Sequence, residues 1–348
     1  MKIYKVDYFE RQIMNNEYST EDLLDVFLKK EEHYNLYVIP KKKNRGTRKL
    51  YCLSKNKELY RCQQLLKVNF FDRIPVSDYC YGYRTGKCYK NYLEPHIGKK
   101  YFLRLDIKDF FDCIGKDIIR DFLLTYVSED IENTILGKEI SFGLLDLITE
   151  LVTINGHLPQ GAITSPVISN LIFRSLDIRI YRYCCRYGIT YSRYADDLLF
   201  SSENSVLHKN FFTNKIQHIL KSGQYNFDIN YRKVKKCRGE ISLNGFVVGE
   251  NVRLSRTKIK KMNTIIHVFK KEKDLDKYNI LIELKKNYNL VFENVVDLNN
   301  FLSGYRSFLI GILPFNSLGE LPNNINRYDT KNLRIISEIE GILEKVNK

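Results

Sequence analysis

Adjacent carboxylates at Asp196 and Asp197 are the part of this sequence best suited to chemistry. They fall between a run carrying Ile189, Tyr191 and Tyr194 and one carrying Leu198, Leu199 and Phe200, which predicts a β-hairpin with its acids at the turn. Like charges side by side repel, and each is costly to bury alone. A hard divalent cation such as Mg²⁺ relieves both costs by taking oxygen ligands. For an isolated Asp-Asp pair a solvated turn is the better explanation, because Asp favours turns. The pair gains meaning only from the other segments.

Tyr101-Phe-Leu-Arg-Leu-Asp106-Ile reads as a strand ending in a carboxylate. Beside the hairpin in one antiparallel sheet, it would bring Asp106 to Asp196. Asp197 is the less direct third member, since neighbours in a tight turn point apart. Carboxylates gathered in this way hold two Mg²⁺ about 3.5–4 Å apart, the arrangement that nucleotidyl transfer uses. Phe110 and Phe111 follow closely, where a flat ring beneath a nucleotide sugar would exclude a 2′-hydroxyl. Phe111 is assigned to that gate and Phe110 to the core. Leu158-Pro159-Gln160-Gly161 precedes a helix start, so Gln160 is a candidate contact to template or incoming base, with Gly161 allowing close backbone approach. Residues 41–49 hold six cations in nine positions. Among them Arg48 is chosen as a triphosphate clamp, because a guanidinium grips phosphate oxygens bidentately. Lys233 is placed to hold a γ-phosphate or to protonate pyrophosphate. The bland counterparts are a helix-capping Asp106, a core aromatic pair, a structural turn and a solvated charge run.

Bulk properties agree with a polyanionic partner. Lys and Arg total 56 against 41 Asp and Glu, a net charge of +15 over 348 residues. The 25 Tyr and 20 Phe beside these cations suit stacking on bases, although most must be core. Eight cysteines without a C-x-x-C pair argue against zinc. With no apolar leader at the N-terminus, they suggest reduced thiols in a cytoplasm. No apolar run approaches the roughly 18 residues of a membrane span.

The elements needed to position these residues are legible in outline. Ser19 caps a helix with Leu23, Leu24, Phe27 and Leu28 on one face. Residues 34–52 read as two strands around the basic turn, and 57–73 and 116–154 as mostly helical. Ser165 is the expected cap, and Pro166 the first residue, of a long helix that Gly188 stops. A helix over 208–221, a strand over 227–230 and a hairpin over 243–254 follow. Beyond them Ile259, Met262, Ile265, Ile266 and Phe269 line one helical face, with Lys258 and Lys261 alongside. The fold class is α+β, with a domain boundary near residue 240.

In order, the basic loop, Leu-Asp106-Ile-Lys-Asp-Phe-Phe111, Leu-Pro-Gln-Gly161-Ala-Ile-Thr-Ser-Pro166 and Arg193-Tyr-Ala-Asp-Asp197 resemble a reverse transcriptase, most closely the bacterial retron type. Glu94-Pro95-His96-Ile97-Gly98-Lys99 and Leu302-Ser-Gly304-Tyr-Arg-Ser-Phe308-Leu309 extend the resemblance over about residues 34–315. It departs where the family's Asn-Ala-x-x-His element falls on Tyr92–His96, keeping only the His. It departs again where Val-Thr-Gly falls on Leu243-Asn244-Gly245, keeping only the Gly. In the family these elements handle its structured RNA, so His96 and Asn244 join Lys258 and Lys261 as candidate RNA contacts.

The resemblance implies a right-hand polymerase. Residues 1–100 would hold N-terminal helices and fingers, 101–240 an antiparallel-sheet palm with finger elements interleaved, and 241–348 a mainly helical thumb. It implies RNA-directed DNA synthesis from dNTPs with two Mg²⁺ held by Asp106, Asp196 and Asp197. A cognate noncoding RNA would be template and primer, giving a branched RNA–DNA product in anti-phage defence beside an effector protein, with no membrane partner. A defence-associated reverse transcriptase of another lineage, a polymerase with protein priming or no template, and a noncatalytic RNA-binding scaffold are the alternatives.

Overall fold

A computed structural model describes residues 2–40, 46–128, 135–137, 140–271, 277–315 and 319–347. Lys41, Lys42, Lys43 and Arg45 of the basic turn lie outside the described residues. Helices and antiparallel sheet make up an α+β chain. It divides into two compact units, one of residues 1–87 with 101–237 and one of residues 88–100 with 238–348. The 88–100 segment therefore belongs with the C-terminal unit, not with the N-terminal residues beside it in sequence.

The first unit begins with α1 (Thr20–Leu28), closed at its start by a reciprocal cap. The Asp22 N–H donates to Ser19 Oγ at 3.1 Å and the Ser19 N–H to the Asp22 carboxylate at 2.8 Å. Strands β1 (Tyr34–Pro40) and β2 (Thr47–Leu53) pair as a hairpin, and α2 (Glu58–Asn69) buries Leu59, Leu65 and Leu66. After β3 (Tyr101–Asp106) come α3 (Lys116–Leu124) and α4 (Leu144–Val152). A strand pair, Ile135–Gly137 with Ile140–Phe142, separates these two helices and corrects the helical reading of 116–154. Gly137 disfavours a helix there, and the β-branched and aromatic residues around it favour strands.

The long helix α5 (Ser165–Cys185) starts earlier than expected. Thr164 already has helical backbone, so Ser165 is inside the helix and cannot cap it. Its hydroxyl is buried without a hydrogen-bond partner among the described residues. Gly188, at a φ of 61°, turns the chain into β4 (Thr190–Tyr194) and β5 (Asp197–Ser202), after which α6 (Asn210–Leu220) packs on the core. Residues 227–230 are not a strand. Only Ile229 bridges, antiparallel to Ile107 just beyond β3, with backbone bonds from the Asn230 N–H to Asp106 and from the Lys108 N–H to Asp228 on either side. Strand β6 (Lys235–Arg238) instead completes a sheet of order β4-β5-β3-β6. Beneath the sheet, the rings of Phe110, Phe173 and Phe227 lie 5.4–5.8 Å apart, centroid to centroid.

In the C-terminal unit, β7 (Ile241–Leu243), β8 (Phe246–Val248) and β9 (Val252–Leu254) form a small antiparallel sheet. The turn Asn244-Gly245 has φ of 45° and 85°, the geometry favoured in two-residue hairpins. Thus 243–254 is the end of one hairpin and all of a second, where a single hairpin was expected. Four helices follow: α7 (Arg256–Lys271), α8 (Lys277–Tyr288), α9 (Val295–Gly311) and α10 (Arg327–Asn347). The 88–100 segment is tied in by backbone bonds from Gly98 N–H to Gly249 and from Gly239 N–H to Lys100, each 2.8 Å. Buried Lys90 donates to the Asp329 carboxylate and, at 3.0 Å, to the Ile312 carbonyl. A buried ammonium needs such partners to keep its charge.

Candidate active site

The apolar run Phe102, Leu103 and Leu105 buries β3 and carries its last residue, Asp106, to the edge of a cavity of about 910 Å³. On the neighbouring strands the register sets Asp106 opposite Asp197, and Tyr194 closes the hairpin against Asp197. The two-residue loop between β4 and β5 is Ala195-Asp196. Ala195 has a φ of 55°, a conformation usually left to Gly. Asp196 lines the cavity with Asp106, and its carbonyl accepts from the Ile107 N–H at 3.0 Å.

Three contacts hold that strained turn from behind. Arg193 Nη1 donates to the Ala195 carbonyl at 3.1 Å. Backbone bonds link Arg193 to Tyr79 at 2.7 Å and to Tyr81 at 2.8 Å. Gly82 lies so close that a Cβ there would meet the Ala195 nitrogen at 2.6 Å. Arg193 itself is wholly buried and forms a two-pronged ion pair with Asp177, at 2.9 and 2.8 Å. Tyr191 donates to the same carboxylate at 2.7 Å, and Asn170 accepts from Arg193 at 3.1 Å. Asp177 went unnoticed in the sequence, yet an acid within the apolar series Leu176–Ile180 of α5 marks a buried partner.

The three candidate carboxylates are not equivalent. Asp106 is 2% exposed, with Lys233 Nζ at 2.9 Å and Asn230 Nδ2 at 3.2 Å from its oxygens. Burial, reinforced by the Asp106 charge, pushes the Asp196 carboxyl above its ordinary range. Asp197 turns away and is gripped by Arg104, through Nη2 and through Nε at 2.9 Å. Burial, opposed by Arg104 and aided by the Asp196 charge, pushes its carboxyl up to about 6. Arg104 Nη2 also lies 3.5 Å from Asp106, so the three expected carboxylates share one neighbourhood in which Asp197 is committed to the guanidinium. No grouping of three or more His, Cys, Asp or Glu suited to a metal occurs among the described residues. Arg104 went unassigned, although the two-residue period of a strand sets it on the same face as Asp106.

Asp106 and Asp196 nevertheless fit a divalent cation. Both offer hard oxygen donors to one cavity, their charges oppose each other, and the Lys233 ammonium already answers the demand for positive charge at Asp106. The same cavity is lined by Arg48, Phe111, Gln160 and Lys233. Phe110 is buried in the core, whereas Phe111 is partly buried, its ring 6.5 Å from that of Tyr83. Gln160 enters through its loop, whose carbonyl accepts from the Tyr51 N–H at 2.7 Å. Gly161, at a φ of 105°, lets that loop close on β2, because a Cβ would stand 3.0 Å from the Tyr51 oxygen. Its close approach is therefore to β2. Tyr83 and Asn155 are further lining residues that sequence reasoning missed, lacking any motif to mark them.

The candidate RNA contacts all fall in the C-terminal unit. His96 is 0% exposed, so its assignment as an RNA contact is corrected: the ring has no surface to offer. Asn244 is exposed at its turn and donates to the Tyr89 hydroxyl at 3.0 Å. The Lys258 ammonium lies over the Phe308 ring at 4.8 Å. That of Lys261 lies between Phe301 at 4.1 Å and Phe292 at 4.6 Å.

Burial pushes the His96 pKa down to about 3, whereas an unfolded imidazole titrates near 6.5. The unfolded chain therefore binds the extra proton in that window, and stability falls as pH falls through it. His96→Phe should flatten this acid limb. Urea melts at about pH 7 and about pH 4 should show the wild-type loss exceeding that of the variant by roughly 3 kcal/mol.

All eight cysteines are free thiols, and among the described residues no helix is long and apolar enough to cross a membrane. The family model described as reverse transcriptase (RNA-dependent DNA polymerase) matches residues 39–264. The retron Mx65 reverse transcriptase of Myxococcus xanthus is 28% identical over 260 residues, 70% of this chain and 58% of its own. Less than two thirds of that relative is thus spanned. The retron Ec86 reverse transcriptase of Escherichia coli is 27% identical over 72% of this chain and 74% of its own. Among solved structures, apo telomerase from Candida tropicalis superposes with a TM-score of 0.45 at 13% identity, covering 90% of this chain and 62% of that one. Because the family match takes in well over half of its length, the chain belongs to the reverse transcriptase (RNA-dependent DNA polymerase) family, in which it resembles the bacterial retron members.

Proposed function

We propose that this chain is an RNA-directed DNA polymerase whose synthesis site is the cavity shared by Asp106 and Asp196. The observation that carries the reading is the meeting of those two carboxylates with Arg48, Phe111 and Lys233 around one space. Asp106 and Asp196 would hold divalent metal, in our reading two Mg²⁺, which when bound supplies the positive charge that nucleotidyl transfer needs at the attacking hydroxyl and the leaving pyrophosphate. Arg48 grips the triphosphate, Gln160 supports the incoming base pair and Lys233 keeps a proton within reach of the pyrophosphate. Asp197 orients Arg104 along the sheet. In right-hand terms β1–β2 belongs to the fingers, the four-stranded sheet is the palm and the C-terminal unit is the thumb. There Asn244 and Lys258 are the proposed RNA contacts, and Lys261 stiffens the helix pair that holds them.

By likeness to its retron relatives, the template and primer is a structured noncoding RNA. Synthesis starts from a guanosine 2′-hydroxyl and leaves a branched RNA–DNA product, in an anti-phage system with a companion effector. The test is purification of the chain with its bound nucleic acid, followed by dNTP addition with Mg²⁺ and sequencing. DNA joined to RNA at a 2′-position supports the reading, and a protease-sensitive linkage or no DNA defeats it.

Phe111 supplies a sharper check. A ring under the sugar rejects the 2′-hydroxyl by contact, so Phe111→Ala should raise rNTP use relative to dNTP by roughly 10–100-fold. Single-nucleotide incorporation kinetics would read this, and unchanged sugar selectivity would remove Phe111 from the gate.

A further inference from the structure

A cavity of about 620 Å³ lies wholly within the C-terminal unit, lined by α7, the end of α8 and the start of α10. On α7 it is met by Arg256 and Lys260, spaced one turn apart, while Met262, Ile265, Ile266 and Phe269 bury the apolar side of that helix in the unit's own core. Lys331 adds a further cation, and the lining holds no Asp or Glu. Arg253 is already neutralised by Glu240, at 2.9 and 2.8 Å. Arg256, Lys260 and Lys331 have no acidic partner among the described residues. Tyr288 and Tyr328 contribute half-buried rings.

Asn332 adds an amide to the cavity wall. It is 6% exposed and lines the cavity, yet its amide has no hydrogen-bond partner among the described residues. The amide still reaches solvent, so water answers it in the open cavity and a complementary ligand group would take that water's place. An amide offers a donor and an acceptor side by side, which matches the edge of a nucleobase, adenine in particular. Aromatic rings stack on bases, and unpaired Arg and Lys take phosphate. The volume falls in the usual range for small-ligand sites.

We infer that this cavity binds one nucleotide, its base read by Asn332 beside Tyr288 and Tyr328 and its phosphate held by Arg256, Lys260 and Lys331. The ligand is either a free nucleotide or one unpaired nucleotide of a bound RNA strand. The inference goes beyond DNA synthesis, since it requires neither Asp106 nor metal.

Equilibrium binding of radiolabelled AMP, and of an unstructured oligoadenylate, to the full chain in metal-free buffer tests it. Two variants are compared with wild type: Asn332→Leu, and Lys260→Gln combined with Lys331→Gln. The second changes only exposed side chains, so it keeps the test informative should Asn332→Leu unfold in a thermal melt. About tenfold weaker AMP binding in the variants supports a free-nucleotide site. Absence of AMP binding, with oligoadenylate about tenfold weaker in the variants, supports a strand nucleotide. AMP and oligoadenylate affinities that are both unaltered by the variants would overturn the inference. Because no primer, dNTP or metal is present, that failure is distinct from a failure of polymerase activity.

Discussion

Asp196→Asn and Asp106→Asn are each expected to lower DNA synthesis on a primed RNA template by about 10³-fold or more, because each removes half of the oxygen donor set facing the cavity. Fold should survive both changes. Asn keeps the shape, and losing one of two like charges relieves the repulsion that helps raise the Asp196 carboxyl, although Asp106→Asn also gives up the Lys233 ion pair and should melt somewhat lower. Asp197→Asn should behave differently. Its carboxylate is committed to Arg104, so the expected loss of synthesis is smaller, and the change should appear in stability as well. Incorporation rates and thermal melts on the same preparations check all three. Equal activity of wild type and the Asp106 and Asp196 variants would leave the noncatalytic RNA-binding scaffold as the better account.

The second large effect is structural. Asp177→Asn strips the counter-charge from Arg193, a guanidinium with no exposure at all, and should destabilise the chain by about 3–5 kcal/mol. An uncompensated buried charge costs far more than a lost surface pair, which explains the size. Replacing both partners with apolar residues, as in Asp177→Leu with Arg193→Met, should recover much of the stability. It should not recover synthesis, because the Ala195 carbonyl still lacks its donor and the turn carrying Asp196 is released. Urea melts beside incorporation rates would separate the two roles. If the double variant regains both stability and activity, Arg193 has no part in positioning Asp196.

Much of the site was legible because its residues sit in short continuous segments. The alternating run before Asp106, the paired runs around Asp196 and the Phe110-Phe111 step each declare local structure through propensity and period. Other readings failed where neighbours in space decided the outcome. Residues 227–230 read as a strand, yet their pairing stops at a single antiparallel bridge, held by bonds from Asn230 to Asp106 and from Lys108 to Asp228, because β3 itself ends at Asp106. His96 carries a motif position but packs inside its unit. Lys258 and Lys261 read as a charged helical flank, to which the fold adds ring contacts that the sequence could not show.

By itself, the sequence determined which carboxylates, cations and rings were available, that they lay on strands and turns, and the family to which their order belongs. Tertiary structure alone decided that Asp196 faces the cavity while Asp197 faces Arg104, and that Asp177 lies under Arg193. It alone set the Asn332 amide at the wall of a second cavity. The physical reason is that hydrogen bonding and strand period act between near neighbours in the chain. Burial and charge pairing act through space, between residues that only the folded chain brings together.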